Sequence, residues 1–175
     1  NDTVLLFANG MAGNKILSSK SRDWGLFVNA LETVCFELAM KIVMDGEGAT
    51  KFVTVRVNKA ASASDAFKAA RAVANSLLVK TSWFGADPNW GRIIAAVGYS
   101  GAKIDETKVD ISFNGLKAVE KGQKSPGTPL TKLEKVLRKK NFEIDIDLNI
   151  GKASDVVYTC DCSLDYVKIN AEYMT

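Results

Sequence analysis

The sequence predicts an α/β fold of the mixed α+β kind, with helices layered on a sheet and a smaller α+β subdomain at the C-terminal end. Three observations carry this expectation. Apolar residues recur at helical spacing through residues 24–44. Residues 142–150 alternate between apolar and polar without a fault. Helical and strand patterns intermix along the chain, and the strands take an antiparallel character late.

In residues 24–44, Phe27, Leu31, Val34, Leu38 and Ile42 share a stripe, and Gly46 supplies a C-terminal stop. Val28, Cys35, Phe36 and Val43 make this helix apolar on most faces, so it expects cover on all sides. Residues 52–57 read as a strand. Ser64 and Asp65 are placed to cap a second helix running through Lys80, with Phe67, Ala70, Val73, Ala74 and Leu77 on its inner face. A loop over residues 81–89 leads to a short apolar helix, 92–97, which Asn89 or Asp87 would cap.

The polar stretch 101–107 is the predicted boundary between a main portion, 1–100, and the smaller subdomain, 101–175. Beyond it, residues 109–113 read as a strand, 122–127 as a loop containing Pro126, and 130–140 as a helix. Phe142, Ile144, Ile146, Leu148 and Ile150 then face one side of a strand, with Glu143, Asp145, Asp147 and Asn149 on the other. Residues 156–162 and 166–169 complete the predicted β content.

A chain of 175 residues can bury a sizeable core, and 47% hydrophobic with 25% charged residues is the balance of a soluble globular protein. The net charge of +3 is spread along the sequence. The one basic run, Arg138-Lys139-Lys140, closes a predicted helix, where cations are favoured, so no nucleic-acid partner is expected. No apolar run has the length of a membrane span, no signal-like leader opens the chain, and three cysteines are an odd number. A cytoplasmic protein is expected from this, with no membrane partner. The chain contains no histidine. That excludes a Ser-His or Cys-His pair built within it, and any histidine metal site. Acid–base work is left to carboxylates, Lys, Tyr, Cys or a terminal amine.

Three constellations stand out. In Asp45-Gly46-Glu47-Gly48-Ala49-Thr50-Lys51, glycines flank a carboxylate between a helix and a strand. They let the backbone turn sharply and approach a ligand, where Glu47 could meet an ammonium; a helix stop with a solvated Glu is the plainer alternative. A phosphate loop is disfavoured, because the Lys is wrongly spaced and the order is helix–loop–strand. In Thr81-Ser82-Trp83-Phe84-Gly85-Ala86-Asp87-Pro88-Asn89-Trp90-Gly91-Arg92, the aromatics are expected to anchor a buried connection. At the end of the chain, Tyr166-Val167-Lys168-Ile169-Asn170-Ala171-Glu172-Tyr173-Met174-Thr175 carries enough apolar surface to dock, either at a site or as a last strand. Strand alternation would set Tyr166, Lys168 and Asn170 on one face. Cys160 and Cys162 read as small buried hydrophobes, and Asp145 with Asp147 as a solvated face, so no metal site is expected.

Taken in order, Asn1-Asp2-Thr3-Val4 with Ala8-Asn9-Gly10, the Asp45–Lys51 and Phe84–Arg92 blocks, and Tyr166 through Tyr173 resemble the β-chain of the ornithine acetyltransferases. These are the bifunctional glutamate N-acetyltransferases of arginine biosynthesis. The resemblance implies a layered helix–sheet fold of a self-cleaving, N-terminal-nucleophile-like acyltransferase. A precursor cuts itself between an Ala and a Thr. The freed Thr takes acetyl from N-acetylornithine, forms an acyl-enzyme and hands acetyl to glutamate. Its own α-amine is the base, which fits a chain without histidine. Some members also accept acetyl-coenzyme A as a co-substrate; no other cofactor is implied. The implied partners are an α-chain from the same precursor, in an α2β2 or larger assembly, and the substrates. Carried over residue by residue, the substrate contacts fall on Glu47, Asn170 and Thr175, and the tail 166–175 returns to the active site. The family places the Asn-Asp-Thr-Val block downstream of the cleavage-site Thr. The nucleophile and the oxyanion hole are therefore expected upstream or in the α-chain, with no catalytic residue in these 175, and Thr3 is not promoted to that role. Met174 departs from the small polar residue associated with its position. Two other readings remain open: an N-terminal-nucleophile aminopeptidase or amidohydrolase that passes the acyl group to water, and a non-catalytic amino-acid-binding domain.

Overall fold

The computed structural model describes residues 3–172. It divides into two compact units, Asn1–Ala39 and Met40–Thr175. In the first, residues 3–23 form turns without helix or strand, and most of helix α1 (Trp24–Met44) follows. The helix covers the span its apolar stripe predicts. Trp24 and Phe27, one turn apart, tilt against each other with ring centroids 5.8 Å apart. No residue of α1 is buried.

The second unit is built on one six-stranded sheet. Its strands are β1 (Phe52–Ala60), β2 (Asp110–Phe113), β3 (Leu116–Glu120), β4 (Gln123–Lys124), β5 (Asn141–Asp147) and β6 (Ala153–Cys160), in the order β4-β3-β2-β5-β1-β6. β1 and β5 pair in parallel, and every other pairing is antiparallel. A parallel pair requires a long crossover, and residues 61–140 provide it with most of the helices.

In register, Val53 lies beside Phe142, Val55 beside Ile144 and Val57 beside Ile146, and all six are buried. Helix α2 (Ala63–Asn75) covers this face through Ala66, Ala69, Ala70, Val73 and Ala74. Alanines on its inner stripe let the helix lie close to the strands. Helix α3 (Leu77–Phe84) adds Val79 and Trp83, and α4 (Trp90–Gly98) adds Ile93, Ala96 and Val97. Trp83 meets Phe142 edge-on with centroids 6.3 Å apart. Helix α5 (Leu130–Leu137) contributes Leu133, Val136 and Leu137, and α6 (Leu164–Glu172) closes the described chain. On the opposite face, Arg56 pairs with Asp145 at 3.4 Å and Lys59 with Asp147 at 2.6 Å. Burial raises the Asp145 carboxyl above its ordinary range, and Arg56 opposes the rise.

Several elements differ from the sequence expectation. The helix expected to run through Lys80 is two helices, broken at an extended Ser76. The break redirects the chain so that Val79 and Trp83 both enter the core. Its first cap is Ser62, not Ser64 or Asp65. The Ser62 hydroxyl accepts the Asp65 N–H at 3.1 Å and donates to the Asp65 carboxylate at 2.6 Å, a reciprocal cap with the acid three residues on. β3 and β4 were not expected. They follow Asn114 (φ 45°) and Gly115 (φ 76°), an Asn-Gly turn whose twist suits a tight hairpin. Residues 166–169 are helical, not a strand. β6 ends at Cys160, so Cys162 is buried in the connection that follows rather than in the strand. Residue 101 falls inside the second unit, in the loop between α4 and β2, and the sheet takes β1 from one side of it and the other strands from beyond it.

Gly151 shows how closely the β5–β6 connection crosses β1. A Cβ there would run into the carbonyl group of Ala60, which is strand backbone. Gly151→Ala is expected to cost about 1–3 kcal/mol and to lower the melting temperature by several degrees. Gly127→Ala, which meets open space, should leave the melting temperature unchanged. Equal melting curves for the two variants would contradict the close approach.

Candidate functional site

After α1 the chain makes a tight turn, with the Ala49 N–H donating to the Gly46 carbonyl at 2.9 Å. Gly48 sits at φ 63°, where an L side chain is strained, and a Cβ there would lie 2.5 Å from the Tyr166 nitrogen and 2.9 Å from Ser163 Oγ. The turn therefore presses directly on the start of α6. Two side chains from the link between β6 and α6 pin it. Ser163 Oγ donates to the Gly48 carbonyl at 2.6 Å and accepts the Tyr166 N–H at 3.1 Å, so one hydroxyl caps α6 and ties it to the turn. Asp161, only 3% exposed, accepts from the Thr50 N–H at 2.8 Å, from the Thr50 hydroxyl, and from the Lys51 N–H at 3.0 Å.

This geometry brings two of the three expected site residues together. Asn170 Nδ2 donates to Glu47 Oε2 at 3.1 Å and to the Tyr166 carbonyl at 2.9 Å. Tyr166 and Asn170 share a face because they lie four apart on a helix, not because a strand alternates. Among the described residues, nothing occupies Glu47 Oε1 or the Asn170 carbonyl oxygen. A carboxylate oxygen and an amide oxygen on two hydrogen-bonded residues are acceptors of the kind an ammonium group needs. The third residue, Thr175, lies outside the described residues, as do Tyr173 and Met174.

The lysine that closes the glycine block has a different task. Lys51 Nζ donates to the carbonyl oxygens of Trp83 and Phe84, at the C-terminal end of α3. Burial pushes its pKa down; Asp161 acts against this and Arg138 adds to it. An ammonium committed to a helix end is not a phosphate ligand. The aromatic block is likewise structural: Trp83 is buried, and Asn89 Oδ1 caps α4 by accepting the Arg92 N–H at 3.1 Å. Arg92 Nη1 in turn donates to the Leu78 carbonyl at 2.7 Å.

Beside the turn lies a cavity of about 320 Å³, lined by Glu47, Leu77, Lys80, Cys160, Asp161 and Tyr166 among others. Asp161, Ser163 and Lys80 were not singled out from the sequence. Of these, Ser163 carried a legible signal, since a Ser just before a run of helix formers is a capping residue. Among the described residues, no group of acids and cysteines is arranged to hold a metal ion.

The ArgJ family's sequence profile matches residues 1–175. The chain is 51% identical over 175 residues to an arginine biosynthesis bifunctional protein ArgJ of Geobacter sulfurreducens, a match spanning all of this chain and 44% of that protein. It is 46% identical over 183 residues to a glutamate N-acetyltransferase of Methanocaldococcus jannaschii, again covering 100% of this chain and 44% of the relative. The crystal structure of an arginine biosynthesis bifunctional protein argJ from Bacillus halodurans matches with a TM-score of 0.90 at 38% identity, over 99% of this chain and 81% of that one. The chain thus spans less than half the length of the curated relatives it matches.

The pinned turn generates a stability prediction. Asp161→Asn keeps the shape but presents an amide where three donors converge. The loss should be about 1.5–3 kcal/mol, against about 1 kcal/mol for Thr50→Val, which removes only one hydroxyl. Urea unfolding of both variants measures this, and an Asp161→Asn protein as stable as the parent would show that the carboxylate does not hold the turn.

Proposed function

The chain belongs to the ArgJ family, and from that premise we propose that it is part of an acetyltransferase that moves acetyl from N-acetylornithine to glutamate in arginine biosynthesis. The match of the whole of this chain to relatives named for arginine biosynthesis and for glutamate N-acetyl transfer carries this reading. The reaction uses a threonine outside these 175 residues. Its Oγ attacks the acetyl carbonyl; the amide C–N bond breaks, and ornithine leaves after its nitrogen takes a proton from the threonine's α-ammonium. The amine of glutamate then attacks the acyl-threonine, and Oγ is released. Acetyl-coenzyme A serves as a second acetyl donor, which accords with relatives named bifunctional. The working protein pairs this chain with an α-chain from the same precursor, as α2β2 or larger, in the cytoplasm. Among the described residues, no helix is long and apolar enough to cross a membrane.

Within this scheme Glu47 holds a substrate ammonium, Asn170 aligns it, and Thr175 closes the site. The 3.1 Å hydrogen bond between Asn170 Nδ2 and Glu47 Oε2, joining residues far apart in the chain, is the support for this assignment.

In the processed enzyme, Glu47→Gln should lower kcat/KM for N-acetylornithine roughly tenfold to over a hundredfold, the effect of removing a charge-assisted hydrogen bond, while self-cleavage proceeds normally. Unchanged kinetics would make Glu47 a turn residue only. With the parent enzyme, acetylglutamate should appear in step with ornithine. Ornithine released equally fast without glutamate would instead favour a hydrolase. Deleting Thr175 should cut transfer strongly while self-cleavage proceeds normally. Full activity in the deletion would remove Thr175 from the site.

A further inference from the structure

We propose that Lys80 receives the carboxylate of the amino-acid substrate whose ammonium is held by Glu47. This inference rests on the function proposed above and names a residue and a chemical group that it does not include. The cavity beside the glycine turn has Glu47 and Lys80 among its lining residues, together with Leu77 and Tyr166. Its volume of about 320 Å³ is at the small end for ligand pockets and suits one amino acid.

Lys80 lines the cavity and differs from the lysines whose charge is already committed. Lys59, Lys108 and Lys117 each form an ion pair with an aspartate. Lys51 is committed to two helix-end carbonyls. Half-buried Lys80 has no carboxylate partner among the described residues. Its Nζ lies 3.3 Å from Thr159 Oγ1 and 3.7 Å from Cys160 Sγ, both neutral. Thr159 is buried, and its hydroxyl also lies 3.3 Å from the Ala74 carbonyl. A hydroxyl has one proton: it goes to the carbonyl, and the lone pair faces the ammonium. Lys80 is therefore positioned without being neutralised, and an ammonium has a further N–H to offer. Asp161, another carboxylate lining the cavity, is already occupied by Thr50 and Lys51.

The fold brings Lys80 to the wall of the cavity that the turn also lines. The break at Ser76 starts a new helix whose first turn carries Leu77 and Lys80 to the cavity wall. The Lys80 carbonyl accepts the Cys162 N–H at 3.3 Å, which ties α3 to the link that pins the turn. N-acetylornithine carries a carboxylate and, besides its acetylated nitrogen, an ammonium that takes no part in the reaction, so Lys80 and Glu47 can hold its two charged groups while the amide is left free to react.

The test removes the carboxylate from the ligand and the charge from the protein. In the processed enzyme, kcat/KM is compared for N-acetylornithine and its carboxamide, N-acetylornithinamide. The parent should prefer the acid. Lys80→Met should lower the value for the acid roughly ten- to a hundredfold and change that for the amide by less than about threefold, and Lys80→Arg should restore part of the preference. Titration calorimetry with ornithine and ornithinamide reads the same ratio without turnover. If the parent transfers no acetyl from N-acetylornithine to glutamate, the proposed function fails while calorimetry still decides on Lys80. An acid-to-amide ratio unchanged by Lys80→Met, or an equal loss for both ligands, overturns the assignment and leaves Lys80 a support for Thr159.

Discussion

A carboxylate as buried as that of Asp161 must find donors, and it finds three on the two residues that follow the glycine turn. That one arrangement joins parts of the chain more than a hundred residues apart. On one side are the end of α1, the turn and the start of β1. On the other are the end of β6 and the start of α6. Ser163 repeats the connection two residues later by bonding to Gly48 and capping α6 with the same hydroxyl. With both in place, Gly48 has no room for a side chain, and Glu47 is held where α6 can reach it. The hydrogen bond between Asn170 and Glu47 follows from this clamp, because Asn170 lies on the α6 face that the capped first turn directs toward the turn.

The sheet brings those two segments together. β1 is flanked by β5 in parallel and by β6 in antiparallel register, with Phe52 opposite Cys160. The start of β1 and the end of β6 therefore lie side by side, and the residues just outside them, Lys51 and Asp161, meet. The valines of β1 and the alanines of α2 hold this register, since slipping one residue would turn Val53, Val55 and Val57 away from the helices. The closely packed core and the site are thus consequences of the same pairing.

The elements that could be read from the sequence are those whose periodicity is local. The stripe of α1, the alternation of Phe142, Ile144 and Ile146, and the capping of α4 by Asn89 all emerged as expected. The glycine-framed Glu47 and Asn170 were also legible, through the blocks around them. What was hidden depended on partners distant in sequence. Nothing local in Leu77–Phe84 distinguishes a continuing helix from a new one, and only the burial of Val79 and Trp83 explains the break at Ser76. Residues Tyr166, Lys168 and Asn170 fit a strand by alternation, while Tyr166 and Asn170 fit a helix by spacing; the Ser163 cap decides for the helix. The Asn114-Gly115 hairpin signal was present but stood between short strands with weak patterns of their own. Asp161 gave no hint of its role, because its three donors come from residues more than a hundred positions earlier in the chain.

Two of the charged groups lining the cavity, Glu47 and Lys80, are held differently from the charges on the polar face of the sheet. On the polar face of the sheet, Arg56 meets Asp145 and Lys59 meets Asp147, so each charge is opposed by its neighbour. At the cavity, Glu47 is held by an amide, and Lys80 by a hydroxyl and a thiol. Neutral partners orient a charge through hydrogen bonds without cancelling its field, and a partly enclosed cavity weakens that field less than bulk water does. A paired lysine would have to give up its partner before binding a carboxylate, and part of the binding energy would be lost in the exchange. A lysine held by Thr159 and Cys160 gives up nothing comparable. The same holds for Glu47 with Asn170, which can keep its bond to one carboxylate oxygen while the other takes an ammonium. A site organised in this way favours ligands that bring both charges over those that bring one.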